Sequence, residues 1–108
     1  MGIEVRAIAE AHGLGSREVE ALCIFVARVR GDDQRASLKE KWRKHAADRL
    51  AKSLEALELE QVRAAREAAD VGSGVGFPGL VLAAALPEVR MTLIEQNGSR
   101  CGFMRESI

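Results

Sequence analysis

Aromatic side chains are scarce in this sequence: one Trp, three Phe and no Tyr among 108 residues. A core must therefore be assembled from Ala, Leu, Val and Ile, which favours helices over an all-β sandwich. No apolar run approaches the roughly 18 residues that a membrane-spanning helix needs. The N-terminal MGIEVRAIAEAHG carries acids within its first ten residues and has no apolar stretch of the kind a secretory signal requires. Only two cysteines are present, Cys23 and Cys101, with no CxxC or Cys/His spacing. They read as reduced thiols of a cytoplasmic protein, neither a disulfide framework nor a metal site. Net charge is zero, so there is no global basic or acidic bias. With 47% hydrophobic and 30% charged residues, the composition excludes disorder and fits one small domain.

The zero net charge hides a local pattern. Residues 34–54 carry seven basic groups against two acids, whereas residues 1–33 carry four against six. The basic stretch, with Lys41, Arg43, Lys44 and Lys52, is expected to meet RNA phosphates if the protein meets a polyanion at all. The plain alternative is a solvated helix face that happens to be lysine-rich.

The first two-thirds of the chain read as helix. Ile3 to Ala11 forms a short amphipathic piece ended by Gly13 and Gly15. Ser16 is the expected N-cap of a second helix, in which Val19, Leu22, Cys23, Val26 and Val29 recur at helical spacing up to Gly31. From Ser37 a third stretch places Leu38, Trp42, Ala46, Leu50, Leu54 and Leu57 on one stripe, with Lys41, Lys44, His45, Asp48 and Lys52 opposite. Trp42 is expected in the core, and Asp48 is expected to cap its helix or pair with a neighbouring base on it rather than to catalyse.

The pattern changes at Asp70-Val-Gly-Ser-Gly-Val-Gly-Phe-Pro-Gly79, where three alternate glycines stop any helix. Residues 80–86 read as a short helix broken by Pro87, residues 89–95 as a strand, and residues 97–107 as the start of another helix. The order strand, glycine-rich turn, helix, strand, helix opens a parallel α/β sheet. Glycines at 72, 74 and 76 let the main chain turn sharply and come close to a ligand, and the following helix is expected to offer free N–H groups. Glu95 lies 19 residues after Gly76, where such folds place a carboxylate to accept both hydroxyls of a ribose. These features point to a cofactor that bears adenosine.

Two cofactor classes fit. Gly74-Val-Gly-Phe-Pro-Gly79 satisfies the GxGxxG pattern of nicotinamide and flavin sites. Against this, the turn opens with an acid, Asp70, which suits a ligand with a cationic end better than a pyrophosphate. S-adenosylmethionine has such an end. A third reading is a helical RNA-binding module that works through its basic stretch alone.

The segment DVGSGVGFPGLVLAAALPEVRMTLIEQNGSRCGFM resembles the glucose-inhibited division protein B family, the small-subunit ribosomal RNA methyltransferase G enzymes. Upstream, Trp42-Arg-Lys-His45-Ala-Ala-Asp48-Arg-Leu50 is similar to the family's W-x-x-H-x-x-D-S-L segment, with Arg49 in place of its small Ser. The resemblance covers roughly residues 35–108. It implies methyl transfer from S-adenosylmethionine to N7 of a guanine in small-subunit (16S) rRNA, with no metal and no membrane. It also implies cofactor contacts at Gly72 and Phe77, a turn completed by Ser73, Gly74 and Gly76, and Glu95 as the ribose acid. Gln96 and Asn97 are implied beside the adenosine, and Asp70 is implied to face the methionine end. The fold it implies is α/β: a helical segment, residues 1–66, then the first half of a Rossmann-like methyltransferase domain, residues 67–108. The family's domain is longer, so a truncated, weakly stable and inactive form is the expectation for 108 residues alone. Ala68 and Ala69 stand where the family has bulky aliphatics, and they are expected to pack poorly in a buried strand.

Overall fold

A computed structural model of the chain describes residues 2–31 and 44–108. Leu38, Lys41, Trp42 and Arg43, and with them the start of the third helical stretch, lie outside the described residues.

Helix α1, Gly2–Ala11, and helix α2, Ser16–Arg30, are joined through Gly13, whose φ of +75° makes the turn. Val19, Leu22, Val26 and Val29 are buried as their spacing predicts, and Cys23 is half-buried against the same core. The N-cap differs from the sequence expectation. It is Gly15, and Ser16 is the first helical residue with no side-chain cap. Glu4–Arg30 at 2.7 Å and Glu20–Arg6 at 3.1 Å tie the outer faces of α1 and α2 together.

Helix α3, Ala46–Leu54, continues into a 3-10 turn, Glu55–Glu58, and a single-turn helix α4, Glu60–Arg63. Ala46, Leu50, Leu54 and Leu57 are buried, so the predicted stripe faces inward, where α3 packs on α1 and α2. Lys44, His45, Asp48 and Lys52 are exposed on the other side.

Strand β1, Glu67–Val71, is followed by helix α5, Gly79–Ala85, strand β2, Arg90–Ile94, and helix α6, Gly98–Ser107. The strands are parallel, in register from Glu67↔Arg90 to Val71↔Ile94. This is the strand–helix–strand–helix order expected from the sequence, and the protein is an α/β chain with a small parallel sheet. β1 forms despite its two alanines because pairing with β2 outweighs their helical preference. Their small size still has a consequence. An apolar hollow of about 350 Å³ lies by Ala68 and Ala69, lined also by Val62, Leu82, Leu86 and Met91.

One face of the sheet, with Asp70 and Leu93, packs on α5, which in turn packs on α2 and α3. The other face is open: Val71 is 78% and Ile94 48% exposed. A hydrophobic cluster runs from Val5 and Leu22 through Leu50 to Val75, Val81 and Phe103, so the helical segment shares one core with the glycine turn, α5 and α6. Arg28 of α2 reinforces the junction. Its guanidinium lies 5.1 Å over the Phe103 ring and donates to Ser107 Oγ at 3.0 Å and Glu106 Oε2 at 3.2 Å.

Leu50 is completely buried. Leu50→Ala is expected to lower unfolding free energy by about 2–5 kcal/mol in urea titration. Ile24→Ala, at a 57% exposed position, should change it by less than about 0.5 kcal/mol.

Candidate functional site

The site grows from the carboxyl ends of the two strands. Because Val71 and Ile94 are in register, the chain leaving β1 and the chain leaving β2 emerge side by side. Gly72 and Ser73 both donate their N–H to the Ile94 carbonyl, at 2.7 and 3.0 Å, so the turn is pinned across the strand ends. Gly72, Gly74 and Gly76 all have positive φ, +76°, +61° and +119°. Any side chain at these positions would be strained.

The glycines divide by what surrounds them. A Cβ on Gly76 would stand 2.9 Å from the Leu80 Cβ, and one on Gly79 would stand 2.9 Å from the Asp70 Cβ. These two are glycines so that α5 can lie close against the turn and β1. Beside Gly72 and Gly74, by contrast, no atom of the described residues lies within 4 Å of where a Cβ would be, chain neighbours aside. That is the open side from which a ligand can reach the main chain.

Glu95 borders this opening. Its Oε1 accepts the Gly74 N–H at 2.7 Å and its Oε2 accepts the Asn97 N–H at 2.9 Å. The Asn97 bond first, then the Gly74 bond, hold the carboxyl below the usual carboxylate range, and Arg100 adds a smaller favourable charge. Each carboxylate oxygen keeps further acceptor capacity for a ligand hydroxyl. Asn97 caps α6, its Oδ1 accepting from the Arg100 N–H at 3.1 Å, while Gln96 is exposed alongside. Cys101 also reaches the site, donating from Sγ to the Glu95 carbonyl at 3.0 Å.

Three predicted residues have partners within the protein. Asp70 turns to α5, its Oδ2 accepting the Gly79 N–H at 2.8 Å. The N–H groups of Leu80 and Leu82 are engaged by the Gly76 and Pro78 carbonyls. The expectation that α5 presents free N–H groups is thus corrected: a carboxylate and the turn itself satisfy them. Phe77 faces α2, with its ring centroid 5.2 Å from that of Phe25 at a 55° tilt. Ser73 is 1% exposed and lies beneath the turn. Gly72, Gly74, Glu95, Gln96 and Asn97 thus gather at one edge, while Asp70, Ser73, Gly76 and Phe77 form the support behind it. The sequence reading passed over Phe25 as that support, although its spacing of three from Leu22 and four from Val29 sets it on the buried stripe.

On α3, His45 Nδ1 lies 3.6 Å from Asp48 Oδ2 in an exposed i, i+3 pair, which agrees with the pairing role expected for Asp48. Lys44 and Lys52 lie on the same exposed side. Among the described residues, no group of His, Cys, Asp or Glu is gathered as a metal site requires, and no helix is long and apolar enough to cross a membrane.

The Glu95 contacts make stability depend on pH. A carboxyl with a lowered folded-state pKa contributes fully above its ordinary value of 4.5, and that contribution is lost as pH falls through the lowered value. The stability difference between the unaltered chain and Glu95→Gln should therefore be largest near neutral pH and shrink below pH 4.5. Urea titrations across pH 2–7 read it, and a difference independent of pH would show that the carboxylate contacts are absent.

The model of the GidB family, rRNA small subunit methyltransferase G, matches residues 21–108. Among curated relatives named "Ribosomal RNA small subunit methyltransferase G", the one from Nitrobacter hamburgensis is 42% identical over 76 residues, covering 68% of this chain and 27% of the relative. That from Rubrobacter xylanophilus is 48% identical over 56 residues, 52% of this chain and 22% of the relative. That from Methylobacterium radiotolerans is 36% identical over 105 residues, 90% of this chain and 47% of the relative. The chain thus spans between about a fifth and a half of the length of these relatives. No solved structure matches it significantly. With four-fifths of its residues under the family model, in a match that takes in the glycine turn, Glu95 and most of α2, the chain belongs to the GidB family of rRNA small subunit methyltransferase G.

Proposed function

We propose that this chain forms the cofactor-binding part of an S-adenosylmethionine-dependent methyltransferase that modifies N7 of a guanine in small-subunit rRNA. One observation carries the cofactor reading. The carboxylate of Glu95 is fixed at the end of β2 by the Gly74 and Asn97 amides, beside main chain left open at Gly72 and Gly74. A ribose diol can donate to the remaining acceptor sites of that carboxylate while the adenosine lies along Gln96 and Asn97.

Asp70 favours the same cofactor over a dinucleotide. Dinucleotide folds seat a pyrophosphate on the free N–H groups at the start of the helix after the turn. Here a carboxylate holds the Gly79 N–H, so a pyrophosphate would meet negative charge and an engaged donor. S-adenosylmethionine, whose ammonium and sulfonium outweigh its single carboxylate, meets less repulsion. The nicotinamide or flavin alternative loses support on this ground.

Bound in this site, the cofactor supplies an electrophilic methyl group on its sulfonium. N7 of guanine carries a lone pair and no proton, so no residue of the chain need act as a base. The task of the chain is to hold the cofactor in one orientation for in-line attack. The exposed Lys44 and Lys52 on α3 are suited to RNA phosphates, with Lys41 and Arg43 of the same basic stretch as further expected contacts. In this reading residues 1–66 serve as an RNA-facing helical segment, residues 67–108 carry the cofactor site, and the protein works in the cytoplasm with its rRNA.

Calorimetric titration tests the cofactor. S-adenosylhomocysteine should bind and NAD should not, and Glu95→Ala should weaken the first by about tenfold or more. Binding of NAD in preference to S-adenosylhomocysteine overturns the reading. For the RNA side, the double variant Lys44→Ala/Lys52→Ala should reduce the slope of log affinity against log salt by about one to two on an rRNA fragment. An unchanged slope removes α3 from the RNA interface.

A further inference from the structure

Ser73 is the one polar residue of the glycine turn that is fully buried, at 1% exposure. Each of its polar groups has a partner inside the protein. Its N–H donates to the Ile94 carbonyl at 3.0 Å, and its own carbonyl accepts the Gly76 N–H at 2.9 Å. Its hydroxyl oxygen accepts the Ile94 N–H at 3.1 Å and donates to the Asp70 carbonyl at 2.7 Å. The Ile94 carbonyl, at 3.4 Å from the same oxygen, is the weaker claimant on its single hydrogen. One side chain thus joins Asp70, next to the last residue of β1, to Ile94, the last of β2, and it has almost no exposed surface on which a ligand could rest.

The neighbours of this joint are the parts of the site. Gly74 follows Ser73 in the chain and Glu95 follows Ile94, and the Gly74 N–H meets Glu95 Oε1 at 2.7 Å. The bonds between Ser73 and Ile94 and the bond between Gly74 and Glu95 therefore close a small ring across the strand ends. A shift of the turn relative to β2 at the first joint must open the second. We infer that Ser73 is a positioning residue: its hydroxyl sets the separation of the two strand ends and thereby holds the Glu95 carboxylate where a ribose diol can reach it. This deepens the proposed cofactor site and rests on that reading for its functional consequence, though not for its structural one.

Removing the hydroxyl leaves the Ile94 N–H without its acceptor in a buried place. Threonine keeps both the acceptor and the donor. Ser73→Ala and Ser73→Thr in the full chain separate the hydroxyl from mere occupancy of the space. In Ser73→Ala the dissociation constant for S-adenosylhomocysteine should rise about tenfold, and in Ser73→Thr it should stay within about threefold. The Glu95 carboxyl resonance gives an independent readout by NMR titration. It should titrate at higher pH in Ser73→Ala than in the unaltered chain, with Ser73→Thr restoring the lower value.

Unchanged cofactor affinity and unchanged Glu95 titration in Ser73→Ala overturn the inference. So does an equal loss in both variants, which would assign the effect to packing. If Ser73→Ala does not fold, Ser73→Thr decides, because a chain weakened by keeping the hydroxyl contradicts the role. A chain that binds no S-adenosylhomocysteine, yet whose Glu95 titration moves in Ser73→Ala and returns in Ser73→Thr, overturns the cofactor reading and upholds the positioning role.

Discussion

The parallel register of β1 and β2 is the constraint on which the site depends. With Val71 opposite Ile94, the main chain leaves both strands at the same level. The Ile94 carbonyl then receives the N–H groups of Gly72 and Ser73, and Glu95 comes opposite Gly74. A register slip of one residue would turn Glu95 to the other face of the sheet and leave the turn without its anchor. Neither the glycines nor the acid make a site singly. They do so because two strands present them at one edge.

That edge is braced from behind by groups with partners inside the protein. Asp70 holds α5 against β1 through the Gly79 N–H, and Gly79 is small enough to permit the approach. Val75 is buried in the core shared with the N-terminal helices, and Phe77 meets Phe25 of α2 in a tilted ring contact. The helical segment therefore supports the glycine turn directly as well as carrying exposed lysines. A family match that begins at residue 21, within α2, is consistent with that support belonging to the working unit.

In the proposed reading, Asp70 also biases the turn against anionic ligands. An anionic side chain at the positive end of a short helix stabilises the helix, and here it engages the Gly79 N–H, one of the donors that a phosphate would use. The same interaction can thus be read as a structural cap and as a bias against pyrophosphate ligands. It reconciles a glycine pattern shared with dinucleotide sites with membership in a methyltransferase family.

Much of this was legible in the chain's pattern. Val19, Leu22, Val26 and Val29 on one side, and Leu50, Leu54 and Leu57 on another, announce buried helical stripes because side-chain direction follows from a local repeat. Three glycines at alternate positions announce positive φ, and Glu95 at the end of a β-branched run announces an acid at a strand end. What could not be read locally was which group each polar atom would find. Asp70 meets an amide nine residues away, Ser73 lies buried beneath the turn, and Phe77 faces Phe25 of α2. Those outcomes depend on strand register and on how α5 docks between the sheet and the helices, which join residues far apart in sequence. The sequence by itself determined the elements and the chemical groups at their ends. Only the tertiary structure decided which of those groups border the opening beside Gly72 and Gly74, because a hydrogen bond across a fold is set by distances that no local spacing encodes.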